Sequence, residues 1–208
     1  RSIEAYLISA LFKKEQAFFN WKGAWMRKYL KAFTHIFTQN EASKDLLNSY
    51  SFENVSVSGD TRFDRVTNQL SINNTLDFIE TFKGNSILFV AGSSWLEGER
   101  LITDYINNCN DNTLKFLIAP HDIKPKNIDR LKKSITTPFA TYSEKDNQDL
   151  KNSKVFIADT IGILSKIYSY ADIAYVGGGL GNSGLHNTLE AAVFGVPIII
   201  GHNHEKFP

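Results

Sequence analysis

The run at 177–190, GGGLGNSGLHNTLE, holds five glycines in eight residues and then a His-Asn pair. Glycine lets a backbone approach a ligand closely and accepts positive φ. The apolar spacing predicts a helix over 186–194. Its free N–H groups and positive dipole end would face whatever the glycines leave open. That chemistry suits an anion, above all a phosphate, held by Gly178, Gly179, Gly184, His186 and Asn187. A surface loop that merely needs turns is the plainer alternative. Glu190 stands three residues past Asn187 on the same helical face. There it would accept from ribose hydroxyls, or act as a capping partner. No Gly-Lys-Ser/Thr follows, so this is not a Walker loop, and a dinucleotide loop normally follows the first strand of its domain.

Other candidates sit just after apolar runs. Ser93 and Ser94 are placed to cap a helix or donate to a phosphate at its start. Thr160 and Gly162, in DTIG, have the same two readings. His121 and His186 are assigned to the cleft, while His35 lies in an apolar stretch and reads as core. Glu97 and Glu99 suit the first turn of a helix. His202 and His204 have the alternate spacing of some metal pairs, but no Cys or carboxylate cluster supports one, so no metal is expected. Neither G-x-S-x-G, H-E-x-x-H nor C-x-x-C occurs, and the general base is unassigned.

The elements that must position these residues follow from periodicity. Strands are predicted at 35–39, 55–58, 87–91, 114–119, 155–158, 173–176 and 196–200. Helices are predicted at 3–19, 23–32, 41–49, 76–82, 96–108, 125–133, 163–170 and 186–194. Alternation of β and α with continuously apolar strands predicts a parallel sheet covered on both faces. Ligands of such sheets bind beyond the carboxyl ends of the strands. The polar run at 59–74 is the candidate interdomain linker.

Composition bounds the rest. The chain has 208 residues, 42% of them hydrophobic, enough for a buried core. A formal charge of +1 argues against a nucleic-acid binder driven by bulk charge. It conceals a split, because residues 1–37 hold seven basic and two acidic residues and nine of the 26 aromatics. The single cysteine, Cys109, excludes a disulfide framework within one chain. With no run of 18 apolar residues and no leader pattern, a reduced, cytosolic compartment is expected.

Six segments, in this order and spacing, resemble the 3-deoxy-D-manno-octulosonic acid (Kdo) transferase family. They are FTQNEAS (37–43), GDTRFDRV (59–66), VAGSSWLEGE (90–99), IAPHDI (118–123), IADTIGIL (157–164) and YVGGGLGNSGLHNTLEAAVFGVPIIIG (175–201). The resemblance runs from about residue 33 to the end. It implies a GT-B architecture: residues 1–66 as the end of an acceptor-side domain plus linker, and 67–208 as a Rossmann-like donor domain. It implies that Gly178, Gly184, His186, Asn187 and Glu190 hold the donor nucleotide of CMP-Kdo, with Ser93, Ser94 and His121 lining the pocket. Arg62 would serve a hinge or meet an acidic sugar, or simply pair with Asp60 or Asp64. The chain departs from the family where Trp95-Leu96 replaces a frequent His, and where Pro120-His121-Asp122 replaces a more basic run.

The resemblance further implies a glycosyltransferase of lipopolysaccharide synthesis. It would act with a lipid A precursor as acceptor at the cytoplasmic face of the bacterial inner membrane, without a cofactor. The family's catalytic carboxylate, membrane anchor and closing helices are expected outside these residues, so the chain alone is expected to be inactive. Trp21, Lys22, Trp25, Arg27 and Lys28 would meet the acceptor or an anionic bilayer, or pack within the acceptor domain. A transferase using a UDP-sugar and a non-catalytic nucleotide- or lipid-binding module are the alternatives.

Overall fold

The computed structural model describes residues 3–181 and 183–204. The chain forms two compact units, Arg1–Arg65 and Val66–Pro208.

In the first unit, β1 (Tyr6–Ala10) precedes two 3₁₀ turns, Ala17–Phe19 and Ala24–Met26, and α1 (Arg27–Leu30). Then come β2 (His35–Thr38), α2 (Glu41–Asn48), β3 (Val55–Val57) and α3 (Thr61–Ser71), which runs across the division between units. The sheet is parallel in the order β1-β2-β3. Residues 3–19 are therefore not the expected helix. Tyr6 and Ile8 are exposed while Leu7 and Ser9 are half-buried, a period of two that suits a strand beside β2, until left-handed Ser9 shifts the register and buries Ala10. The expected linker is likewise ordered, as the eleven-residue α3. Asn40 caps α2 as expected, its side chain accepting from the Ser43 amide at 2.9 Å. Ile36, Leu47 and Phe52 form the centre of this unit's core, with Phe12 set edge-on against Phe19.

The second unit continues with α4 (Asp77–Lys83), β4 (Ile87–Ser94), α5 (Leu96–Asn108), β5 (Leu114–Pro120) and α6 (Pro125–Ser134). There follow β6 (Phe139–Thr141), β7 (Val155–Ile157), α7 (Leu164–Ile167), β8 (Ile173–Val176), α8 (Leu189–Ala192) and β9 (Ile198–Ile200). All six strands are parallel, in the order β6-β7-β5-β4-β8-β9. Leu88 and Val90 of β4 join one core with Phe82, Phe156 and Tyr168. Ala91 joins the opposite core with Ile106, Phe116 and Ile118. Burial on both faces explains the continuous apolar runs. The three-residue edge strand β6 is not among the expected strands, because so short a run leaves no periodicity to read.

Two boundaries matter for the site. β4 extends three residues beyond its apolar run, to Ser94, with Ser93 in the left-handed region at φ +49. α8 covers four residues rather than the expected nine. Asn187 Oδ1 accepts from the Leu189 amide at 3.1 Å, so the helix begins after His186 and Asn187, not on them.

Candidate functional site

Strand order reverses between β4, which leads to β5 on one side, and β8 on its other side. Open α/β sheets bind ligands at such a crevice. The carboxyl ends of β5, β4 and β8 deliver His121, the Ser93-Ser94-Trp95 turn and the glycine-rich turn to adjacent positions. Thr160 and Gly162 follow β7, one strand beyond β5, so they stand farther along the same edge. Asp159 beside them accepts from the Ser143 amide and hydroxyl, which fixes that loop to the end of β6.

The glycine turn is tied first to its own chain. Gly177 donates to the Gly92 carbonyl at 2.9 Å, and His186 donates back to the Gly177 carbonyl at 3.0 Å. A Cβ on Gly177 would stand 2.0 Å from the Ser93 carbonyl oxygen. Gly178 has φ +98, and a Cβ there would stand 2.1 Å from the Gly184 carbonyl oxygen. Sequence reasoning assigns the glycines to close approach of a ligand; at these two positions the close approach is of backbone to backbone. Past β9, Asn203 closes the turn, its amide donating to the Gly179 carbonyl and its side chain to the Gly181 carbonyl.

What this leaves open is specific. Gly178 and Gly179 are buried, yet their amides donate to no described residue. Buried N–H groups without an acceptor are rare and costly. Successive amides in a turn form a concave site for an anion. The anion chemistry expected here therefore rests on turn amides. It does not rest on a dipole at His186 and Asn187, since α8 starts later and is barely one turn long.

Asn187 and Glu190 are adjacent as expected. Glu190 accepts from Ser165 at 2.9 Å and from Asn187 Nδ2 at 3.3 Å, one bond to each carboxylate oxygen. A carboxylate oxygen has two lone pairs, so each retains acceptor capacity. Ser93 and Ser94 do not cap α5. Trp95 holds that cap position without a side-chain bond, and the buried Ser94 hydroxyl donates to Glu99 at 3.2 Å. Glu99, expected to serve the helix start, is instead buried and paired with Arg130 at 3.0 Å. Left-handed backbone at Ser93 shifts the β4 register and brings Trp95 out beside the glycine turn.

Three rings meet there. Trp95 Nε1 donates to His186 Nε2 at 2.7 Å, their planes 13° apart. His121 packs on both, with centroids 4.5 Å from Trp95 and 4.4 Å from His186. Burial, and then the neighbouring His121, hold His186 below the usual histidine range. Both histidines are brought together as expected, but sequence reasoning misses Trp95 as a site residue. Its position directly after a strand's carboxyl end is the available signal.

In the first unit, Arg62 pairs with Asp60, its Nη2 2.6 Å from the carboxylate, which lowers the Asp60 pKa and occupies the guanidinium. Arg27 is also occupied, donating to the Phe18 carbonyl at 2.8 Å and lying 4.6 Å over the Tyr50 ring. Trp21 and Trp25 are 84% and 60% exposed, with Lys22 over the Trp21 ring and Lys28 over Tyr29. Among the described residues no group of three or more His, Cys, Asp or Glu side chains is placed to hold a metal ion. No described helix is long and apolar enough to cross a membrane.

The second unit is a Rossmann-like domain of the GT-B type. The likeness extends to the crystal structure of the C-terminal CMP-Kdo binding domain of WaaA from Acinetobacter baumannii, with TM-score 0.54, 22% identity and coverage of 71% and 74% of the two chains. The 3-deoxy-D-manno-octulosonic acid transferase of Haemophilus influenzae is 28% identical over 76% of this chain and 38% of its own length. That of Rickettsia bellii is 24% identical over 92% of this chain and 46% of its own. A bifunctional glycosyltransferase/methyltransferase of Fusobacterium nucleatum is 33% identical over 57% of this chain and 18% of its own. No family model matches. The chain is similar to Kdo transferases over much of its length, and it spans less than half the length of these curated proteins.

Proposed function

We propose that the second unit binds the nucleotide-sugar donor CMP-Kdo for transfer of Kdo to a lipid A precursor. One observation carries this reading: two buried amides, Gly178 and Gly179, lack acceptors among the described residues at the strand-order reversal of a Rossmann-like sheet. A phosphate there completes their hydrogen bonding. Asn187, Glu190, His121 and His186 surround the same turn, and Glu190 has the free lone pairs a ribose needs. Thr160 and Gly162 extend the pocket toward β7.

In the transfer, a base takes the proton of an acceptor hydroxyl as its oxygen bonds to the anomeric carbon of Kdo. The bond from that carbon to the phosphate oxygen breaks, and CMP leaves with the electron pair. Charge grows on the phosphate, where fixed amides stabilise it without reorganising. This reading invokes no metal or other cofactor. The base is not among the residues that this reading assigns, and transfer by the chain alone is not expected.

The first unit supplies the acceptor side. Trp21, Trp25, Lys22 and Lys28 match the interfacial aromatic and basic pattern that favours anionic lipid. Lipopolysaccharide synthesis at the cytoplasmic face of the inner membrane is the setting this implies.

Calorimetric titration of the chain with CMP, UMP and UDP tests the donor assignment. Binding of CMP in preference to the uridine nucleotides is expected. Preference for UDP would favour a UDP-sugar transferase instead, and absence of all binding would defeat the reading.

A further inference from the structure

The contact between Trp95 and His186 fixes a proton. An indole N–H donates and never accepts. At 2.7 Å from Trp95 Nε1, His186 Nε2 must therefore be the unprotonated, accepting nitrogen. The proton of the neutral ring then sits on Nδ1, because the bond made by one imidazole nitrogen sets the state of the other. Nδ1–H donates to no described residue. Protonating Nε2 as well would break the Trp95 bond and set a donor against a donor.

The backbone holds this pair in place. Trp95 is pinned as the first residue of the turn into α5, and His186 by its amide bond to Gly177. His121 packs on both rings. Glu97, on α5, has its carboxylate against Gly181, while Glu190, on α8, is engaged by Ser165 and Asn187. His121 is thus the ionisable group in direct contact with the ring. It is exposed, and as a cation it would oppose a second positive charge on His186.

We propose that Trp95 is a positioning residue that holds His186 as the neutral Nδ1–H tautomer. The site then offers the donor phosphate an uncharged hydrogen-bond donor, kept neutral because a proton on Nε2 would cost the Trp95 bond. The tautomer stands on geometry alone, whereas the role toward phosphate rests on the donor reading above. A hydroxyl or a second imidazole in place of the indole could donate or accept; an indole can only donate, which makes the tautomer single-valued.

Long-range ¹H–¹⁵N correlation spectra of the ¹⁵N-labelled chain read the tautomer without any ligand. His186 is expected as Nδ1–H from about pH 8 to about pH 6, a range in which an unperturbed histidine titrates. Trp95→Phe keeps a ring for stacking and removes the donor. In that variant His186 is expected to mix tautomers and to titrate at higher pH. An Nε2–H tautomer in the parent chain, or an unchanged tautomer in Trp95→Phe, overturns the proposal. If the variant does not fold, the parent spectrum still decides.

CMP titrations over the same pH range, in a His121→Asn background that removes the neighbouring imidazole, test the second half. With Trp95 in place, affinity is expected to change with pH only through the second ionisation of the CMP phosphate itself, near pH ~6. With Trp95→Phe added, CMP at the acid end is expected to bind at least about threefold tighter than to the chain that keeps Trp95, as His186 becomes cationic. Equal pH profiles overturn the role toward phosphate. Absence of CMP binding to the parent chain, with His121 in place, alongside the expected tautomer defeats the donor reading and leaves the Trp95–His186 assignment standing.

Discussion

The turn after β8 and the segment at 17–31 both carry candidate contacts to an anionic substrate, but they present them in opposite ways. In the turn the candidate recognising group is the backbone: Gly177, Gly178 and Gly179 are buried, and the amides of Gly178 and Gly179 have no acceptor among the described residues. In the segment the side chains face solvent and the cations lie over exposed rings. A backbone site demands a fixed geometry and loses function when one atom intrudes. A side-chain surface tolerates change at each position and responds to salt. Arg27 shows the limit of reading the second kind from composition. Its neighbours Trp25 and Lys28 are exposed, yet its guanidinium ties Phe18 and Tyr50 together.

The turn is the more exacting of the two. In a full-length enzyme carrying it, Asn187→Ala should raise the activation barrier for transfer by about 2.7–4 kcal/mol, on the reading that the donor phosphate draws Asn187 Nδ2 away from Glu190 to serve as one oxyanion donor. Turnover equal to the parent's would remove Asn187 from the site. Next, Gly177→Ala forces a Cβ to 2.0 Å from the Ser93 carbonyl. Overpacking against backbone should cost about 3 kcal/mol, read from the urea midpoint of the chain. An unshifted midpoint would mean the turn is not held as described.

The segment should respond differently. Trp21→Ala with Trp25→Ala should weaken binding to anionic vesicles at least tenfold, about 1.4 kcal/mol, and leave stability within about 0.5 kcal/mol. Vesicle binding that survives this pair, or shows no salt dependence, would assign the rings to another contact. Arg27→Ala should do the reverse, costing about 1–2 kcal/mol of stability through its lost carbonyl bond and ring contact, with vesicle binding little changed.

The mildest response is to pH. His186 is held below the usual histidine range, so the unfolded chain binds that proton first on acidification. Its contribution to stability is complete above about pH 6.5 and is lost as pH falls through the lower folded value. Melting temperatures taken between neutral and mildly acid pH should fall more steeply for the parent than for His186→Asn. Parallel curves would contradict the shift.

Much of the fold is legible because parallel strands buried on both faces read as continuous apolar runs. β8 is legible to the residue, as is α5. β1 is not, because at five residues its alternation can be overlaid on a rough helical stripe. The start of α8 is misplaced for a local reason: the Asn187 side chain takes the first free amide and delays the helix. Among site residues, His121 and His186 can be placed from their positions after strands. Trp95 is visible only as a departure from the family pattern, since nothing local shows that Ser93 turns left-handed and swings it onto His186.

Short-range patterns are enough for the strand count of the main sheet to within one, the carboxyl-end location of the candidate site and the likeness to Kdo transferases. Apolar runs, glycines after strands and motif order carry those three. Only the folded chain decides which glycines meet backbone, which amides stay unpaired and which nitrogen of His186 carries the proton. Those depend on atoms brought from Trp95, His121 and Gly177, up to 91 positions from His186, to within a few ångströms. Separations of that kind have no local signature, because a hydrogen bond is set by distance in space and not along the chain.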